Sequence, residues 1–223
     1  MRPIRAVLFD WGDTLFASPD ASRVIVDAAK ERGVSVSAED ARALWDEIWA
    51  AGKTPEELAK GRDLSLGLHR SAWTSLFERA DRLAPGLAPV LYDRVMSQDR
   101  WVPFADTEPT LRALRERGVR IGVVSNVPRD LGPIFEAKGL RALVDAFTHS
   151  YEVGAEKPDP RIFRAACDRL GVVPEETLMV GDHALADGGA VAAGLRFLHL
   201  AGDVAPGGVR GLDRAVAEVD KSR

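Results

Sequence analysis

The chain has 223 residues and a mass of 24.2 kDa, the size of one ordinary domain or of a core carrying one sizeable insertion. Hydrophobic residues make up 46% and charged residues 29%, which excludes a disordered chain. The formal net charge of −4 argues against a general nucleic-acid-binding role. The single cysteine, Cys167, rules out an intramolecular disulfide framework and any Cys-rich metal site, and it fits a reducing compartment. The longest apolar run near the N-terminus, Ala6 to Phe9, is too short for a signal peptide, and no stretch is long enough to span a bilayer. The expected location is therefore the cytoplasm, without a membrane partner.

Taken in chain order, Ile4 to Phe9 reads as a short buried strand, stopped by Asp10-Trp11-Gly12-Asp13-Thr14. From about Asp20 to Arg100 no strand is predicted. Ala21 to Arg32 reads as a helix ending at Gly33, and Ser37 caps a helix that continues through Ala41 to Ala50. Thr54-Pro55-Glu56-Glu57 starts another, since Pro is tolerated in a first turn. Asp63 to Leu83 and Leu87 to Arg100 add two helical stretches. Trp45 and Trp49, at helical spacing, read as packing residues of this block.

After Trp101 the pattern changes to alternation. Helices are expected over Thr107–Arg117, Asp130–Lys138, Pro160–Leu170 and Ala184–Ala193. Strands are expected over Val119–Val124, Ala146–His149, Thr177–Val180 and Leu195–Leu200, and a short helix closes the chain over Gly211–Val219. Strand–helix alternation at short spacing means a parallel sheet with right-handed crossovers, and near-continuously apolar strands mean that both faces are covered. The fold class is thus α/β, a doubly wound parallel sheet with an inserted all-helical block. Residues 1–16 and 101–223 form the core and residues 17–100 the insertion.

Ligands of open α/β sheets bind beyond the carboxyl ends of the strands, so the residues there carry the chemistry. The first strand is followed by Asp10, Gly12, Asp13 and Thr14. The next is followed by Ser125 and Asn126, the loop after the third carries Lys157-Pro158, and the fourth ends in Gly181-Asp182, with Asp187 five residues on. The chain holds 24 arginines but six lysines, which makes a lysine at this position more telling. Carboxylates that hold Mg²⁺, with a hydroxyl and an ammonium for the remaining oxygens, suit a phosphate substrate.

The order Asp10…Thr14, Ser125, Lys157, Gly181-Asp182…Asp187 resembles the haloacid dehalogenase-like hydrolase superfamily, and the helical block resembles that family's mobile cap. The resemblance covers nearly the whole chain. It implies a Rossmann-like core and a Mg²⁺-dependent phosphatase acting on a small phosphorylated metabolite, as monomer or homodimer. Asp10 is then the nucleophile that forms an aspartyl-phosphate, Ser125, Asn126 and Lys157 bind phosphate, and Lys157 also assists catalysis. The metal is held by Asp10, the Gly12 carbonyl and Asp182, with Asp187 acting directly or through water.

One motif departs from the family pattern. Phosphatases of the family usually carry a second Asp two residues after the nucleophile, as general acid–base, followed by Gly. Here the pair is inverted, Gly12 then Asp13. Gly12 keeps a carbonyl for the metal but offers no acid. Asp13 is the candidate replacement, although adjacent side chains in an extended segment point in different directions. Two other readings share the fold: a 2-haloacid dehalogenase, disfavoured by the Asp182–Asp187 pair because those enzymes need no metal, and a weakly catalytic binding or regulatory protein, which Gly12 keeps open.

Overall fold

The structure is a computed structural model and describes residues 2–97 and 100–223. Contacts divide the chain into two compact units, Met1–Ser18 with Trp101–Arg223, and Pro19–Arg100.

In chain order the first unit opens with β1 (Ala6–Phe9) and β2 (Phe16–Ala17). The second unit then supplies α1 (Ala21–Lys30), α2 (Ala38–Ala51), α3 (Pro55–Leu58), α4 (Leu66–Phe77) and α5 (Ala88–Val95). Its helices begin where capping chemistry directs. Asp20 accepts from Ser22 N–H at 3.1 Å, Ser37 Oγ from Asp40 N–H at 3.0 Å, and Thr54 Oγ1 from Glu57 N–H at 3.3 Å with Pro55 in the first turn. The apolar stripes converge on a core of its own that includes Ile25, Leu44, Ile48, Trp73, Phe77 and Tyr92. Trp45 and Trp49 stack with ring centroids 5.4 Å apart and lie partly buried against that core. The helix expected over Leu87–Arg100 is the shorter α5, and its expected passage over Gln98 and Asp99 lies outside the described residues.

The first unit resumes with β3 (Val102–Pro103), α6 (Thr107–Glu116), β4 (Arg120–Ser125), α7 (Gly132–Ala137), β5 (Ala146–His149), α8 (Ser150–Val153), α9 (Pro160–Leu170), β6 (Thr177–Gly181), β7 (Arg196–His199) and α10 (Asp213–Ser222). Five strands form a parallel sheet in the order β5-β4-β1-β6-β7. Both faces are covered. Val7, Phe9, Ile121, Val123, Leu178 and Val180 join one apolar cluster, while Ala6, Leu8, Val124 and Met179 join another with α9. Adjacent residues of one strand thus go to opposite layers. Successive strands are added first on one side of β1 and then on the other, so the switch point lies at the carboxyl end of β1.

Two local features differ from the sequence reading. The helix expected over Ala184–Ala193 is a 3-10 stretch over Asp187–Ala193, because Gly188 and Gly189 weaken α-helix and the segment is short. A two-stranded antiparallel sheet of β2 and β3 was not anticipated. It pairs Phe16 with Pro103 and Ala17 with Val102, which places Ala17 and Ser18 in the first unit. Among the described residues, none of the five parallel strands lies within Pro19–Arg100, and no helix is long and apolar enough to cross a membrane.

Candidate active site

Asp10 is the first residue beyond β1. Its backbone N–H continues the sheet by donating to Val180 O at 2.9 Å, and its side chain is nearly buried. Lys157 Nζ donates to Asp10 Oδ1 at 2.7 Å and to Asp187 Oδ1 at 2.6 Å. Asp187 is fully buried and Lys157 nearly so. The second Asp187 oxygen accepts from His183 N–H at 3.0 Å. Gly181 is required here by close approach, since a Cβ at that position would stand 2.1 Å from Asp187 Oδ2. Asp182 accepts from Thr14 Oγ1 at 3.2 Å, which ties the fourth strand end to the first loop.

Asp10, Asp182 and Asp187 each offer a carboxylate oxygen, and these oxygens lie within 4.8 Å of one another. Three carboxyl groups face one ammonium, so without a further cation ionising all three is costly. The consequences are visible in the acidities. Burial, then Asp187 and Asp182, push Asp10 up from 3.8 to about 8 against the opposing pull of Lys157. Burial and the neighbouring Asp187 and Asp13 likewise raise Asp182 above the ordinary carboxylate range. Burial works against the charge on Lys157, but Asp10 and Asp187 outweigh it and hold the ammonium above its usual value. An all-oxygen donor set with more carboxyl groups than cations fits a hard divalent cation.

The other expected site residues are placed as follows. Ser125 is buried at the carboxyl end of β4, the strand that pairs with β1. Asn126 has a different task from the one expected. Its Nδ2 donates to Lys157 O at 3.0 Å and its Oδ1 accepts from Lys157 N–H at 2.7 Å. The amide therefore holds the lysine-bearing loop. The Trp101 ring packs against Gly12; a Cβ there would stand 3.3 Å from two ring carbons. Asp13 adopts a left-handed φ of 53°, a conformation that Asp tolerates better than most residues. Its Oδ1 accepts from Ser18 N–H at 3.1 Å, so the carboxylate offered as a replacement acid is engaged with the outgoing chain.

Four further residues support the site, and Arg210, Asp106 and His199 among them carried no readable signal. Arg210, buried, donates from Nε to Asp13 O at 2.7 Å and from its terminal nitrogens to Leu200 O and Ala201 O. Asp106 fixes that segment by accepting from the N–H groups of Arg210, Gly211 and Leu212 at 2.9, 2.8 and 2.8 Å. His199 Nε2 lies 2.8 Å from Asp182 O. His183 Nδ1 accepts from Ala186 N–H at 3.1 Å and so caps the turn that carries Asp187.

A family model described as haloacid dehalogenase-like hydrolase matches residues 4–194. The chain belongs to that family. Among relatives of this hydrolase, haloacid dehalogenase-like hydrolase domain-containing protein 3 of Bos taurus is 32% identical over 89% of this chain and 82% of its own length. The mouse protein of the same name aligns over 62% of this chain and 59% of its own length at 38% identity. A phosphoserine phosphatase of Thermus thermophilus is 33% identical over 86% of this chain and 87% of its own, and a glyceraldehyde 3-phosphate phosphatase of Methanopyrus kandleri is 32% identical over 80% and 76%. Among solved structures, a phosphatase of the family from Thermococcus onnurineus superposes with a TM-score of 0.62 at 26% identity, covering 96% of this chain and 99% of its own. A dehalogenase superposes with a TM-score of 0.66 at 29% identity, covering 88% and 84%.

Proposed function

We propose that this hydrolase is a Mg²⁺-dependent phosphatase, acting on a small phosphorylated metabolite through an aspartyl-phosphate on Asp10. The observation that carries the reading is the cluster of Asp10, Asp182 and the buried Asp187, with Lys157 bonded to the first and the last. A dehalogenase has no use for uncompensated negative charge beside its nucleophile, whereas a phosphatase fills it with metal. Mg²⁺ held by Asp10, the Gly12 carbonyl and Asp182, with Asp187 directly or through water, would neutralise phosphate oxygens and the crowded carboxylates.

Lys157 holds Asp10 in place and brings a positive charge to the incoming phosphate. Asp187 fixes that ammonium, and Asn126 fixes the backbone from which it projects. Ser125 supplies a hydroxyl to a phosphate oxygen. In a nearly buried site these charges act through a low effective dielectric and are worth more than in water. Asp10 Oδ attacks phosphorus, and water later cleaves the aspartyl-phosphate. The helical unit is the proposed cap, and the substrate is a soluble phosphate ester.

The test is turnover of 4-nitrophenyl phosphate with and without Mg²⁺, beside the Asp10→Asn variant. Turnover is expected to need Mg²⁺ and to fall at least about 10³-fold in the variant, the scale on which removal of a covalent nucleophile acts. Mass spectrometry of wild-type protein quenched during turnover is expected to find a phosphoryl group on Asp10. Halide release from a 2-haloacid without metal, together with no phosphate turnover, would move the assignment to the dehalogenase.

A further inference from the structure

Cleaving a phosphate ester expels an oxygen anion. An alkoxide is a strong base and leaves quickly only when a positioned acid gives it a proton, help worth roughly 10²–10⁴-fold. An aryloxide or a carboxylate is a weak base and leaves unaided. The groups beside Asp10 therefore decide which esters the site can take.

Gly12, two residues after Asp10, brings no side chain. The space next to it belongs to Trp101, whose ring packs at a tilt of 33° against Trp11 with centroids 4.2 Å apart. Both indoles pack into the apolar layer over the sheet, so an apolar wall stands there. The further carboxylate of the first loop, Asp13, is fixed at three points. Its N–H donates to Phe16 O at 2.7 Å, its carbonyl accepts from Arg210 Nε at 2.7 Å, and its Oδ1 accepts from Ser18 N–H at 3.1 Å. Turning that carboxylate toward a leaving oxygen would break the last bond, while the other two hold the backbone from which it projects. Lys157 is committed to Asp10 and Asp187, and Asp182 is committed to Thr14.

We infer that the site takes phosphates whose leaving group departs as a stable anion, namely aryl and acyl phosphates, and discriminates against alkyl phosphates. The inference rests on the phosphatase reading and narrows it. Asp10 Oδ forms a bond to phosphorus while the phosphorus–leaving-oxygen bond breaks, and its electron pair stays on the aryloxide or carboxylate without a proton. Water then forms the new phosphorus–oxygen bond and its proton goes to a phosphate oxygen. The electron pair of the cleaved bond returns to Asp10. Glyceraldehyde 3-phosphate and phosphoserine, for which two relatives are named, are alkyl esters, so the inference separates this chain from them.

The experiment is kcat/KM in saturating Mg²⁺ for 4-nitrophenyl phosphate, phenyl phosphate, acetyl phosphate, ethyl phosphate and phosphoserine. The aryl and acyl compounds are expected to exceed the alkyl ones by at least about 10³-fold, near the middle of the range for an absent acid. The better of 4-nitrophenyl and acetyl phosphate tells which of the two chemistries the site prefers. Ethyl phosphate within tenfold of 4-nitrophenyl phosphate overturns the inference and leaves the phosphatase reading standing. No Mg²⁺-dependent turnover of any compound defeats the phosphatase reading itself. Asp13→Asn, which keeps the acceptor oxygen for Ser18 and the left-handed backbone, is expected to leave the alkyl-to-aryl ratio where it was. A ratio that drops more than tenfold makes Asp13 the acid and overturns the inference by a second route.

Discussion

Asp10 holds a carboxylate where burial and two like charges oppose it, and its acidity, about 8 rather than 3.8, measures the conflict. The linkage has a definite sign. In the unfolded chain Asp10 ionises near 3.8, and in the metal-free fold near 8. Between those values the folded state holds the additional proton, so stability falls as pH rises through this window. Asp10→Asn removes that charge while keeping the shape. The metal-free variant is therefore expected to melt above the wild type at pH 8 and to gain less at pH 5. Adding Mg²⁺ should narrow the gap by stabilising the wild type. Thermal melts in chelator and in Mg²⁺ check this, and a variant that melts below the wild type at pH 8 in chelator would show that charge crowding costs the fold nothing. The trade is the expected one for an active site, where stability is given up for reactivity. Residue types and order alone pointed to Asp10, Ser125, Lys157, Asp182 and Asp187, because each follows a strand of a parallel sheet. The contact of Gly12 with Trp101 was not legible, since 89 positions separate the two residues and neither carries a periodic signal.

At the level of elements, the central strands β1, β4 and β6 of the parallel sheet were readable because each is mostly a short apolar run. The two-residue strands β2 and β3 were not, because no hydrophobic period can show in two residues. Asn126 shows the same limit from the other side. Its place after β4 suggested a phosphate ligand, yet a partner 31 positions away takes its amide. β5 contributes a feature of its own. His149, at its end, is buried, stacks between Phe147 and Tyr151, and accepts from Leu131 N–H through Nε2 at 3.3 Å. It thereby secures the loop that follows Ser125 and Asn126. Burial lowers the pKa of His149 below 6.5, while Glu152 and Asp130 pull the other way. Folding therefore favours the neutral ring, and stability contributed above 6.5 is lost as pH falls below that value. His149→Gln keeps an acceptor for Leu131 without a titrating ring. Its melting temperature is expected to change less than the wild type's between about pH 7 and pH 5. Parallel slopes for the two proteins would remove His149 as a source of acid sensitivity.

The whole molecule is two compact units made from one interrupted chain, and each has its own apolar core. The insertion leaves the first unit at Ser18 and the chain returns at Trp101. Those residues flank the antiparallel pair Ala17–Val102, so the two cut ends of the first unit are neighbours across a β-ladder. Antiparallel neighbours can be joined by a short turn of about two to five residues. The prediction is that a chain in which a Gly-rich turn replaces residues 19–100 folds as a cooperative α/β domain. None of the parallel strands is lost, and β2–β3 becomes an ordinary hairpin. Asp10, Ser125, Lys157, Asp182 and Asp187 all remain, so this chain should still need Mg²⁺ to cleave 4-nitrophenyl phosphate. If the helical unit supplies the substrate contacts, as the cap reading holds, KM should rise more than kcat falls, because uniform binding is what such contacts provide. Circular dichroism melts and steady-state kinetics measure both parts. A shortened chain that remains unfolded would show that the first unit depends on the helical one despite its separate core. A folded chain with unchanged KM would remove the helical unit from substrate binding.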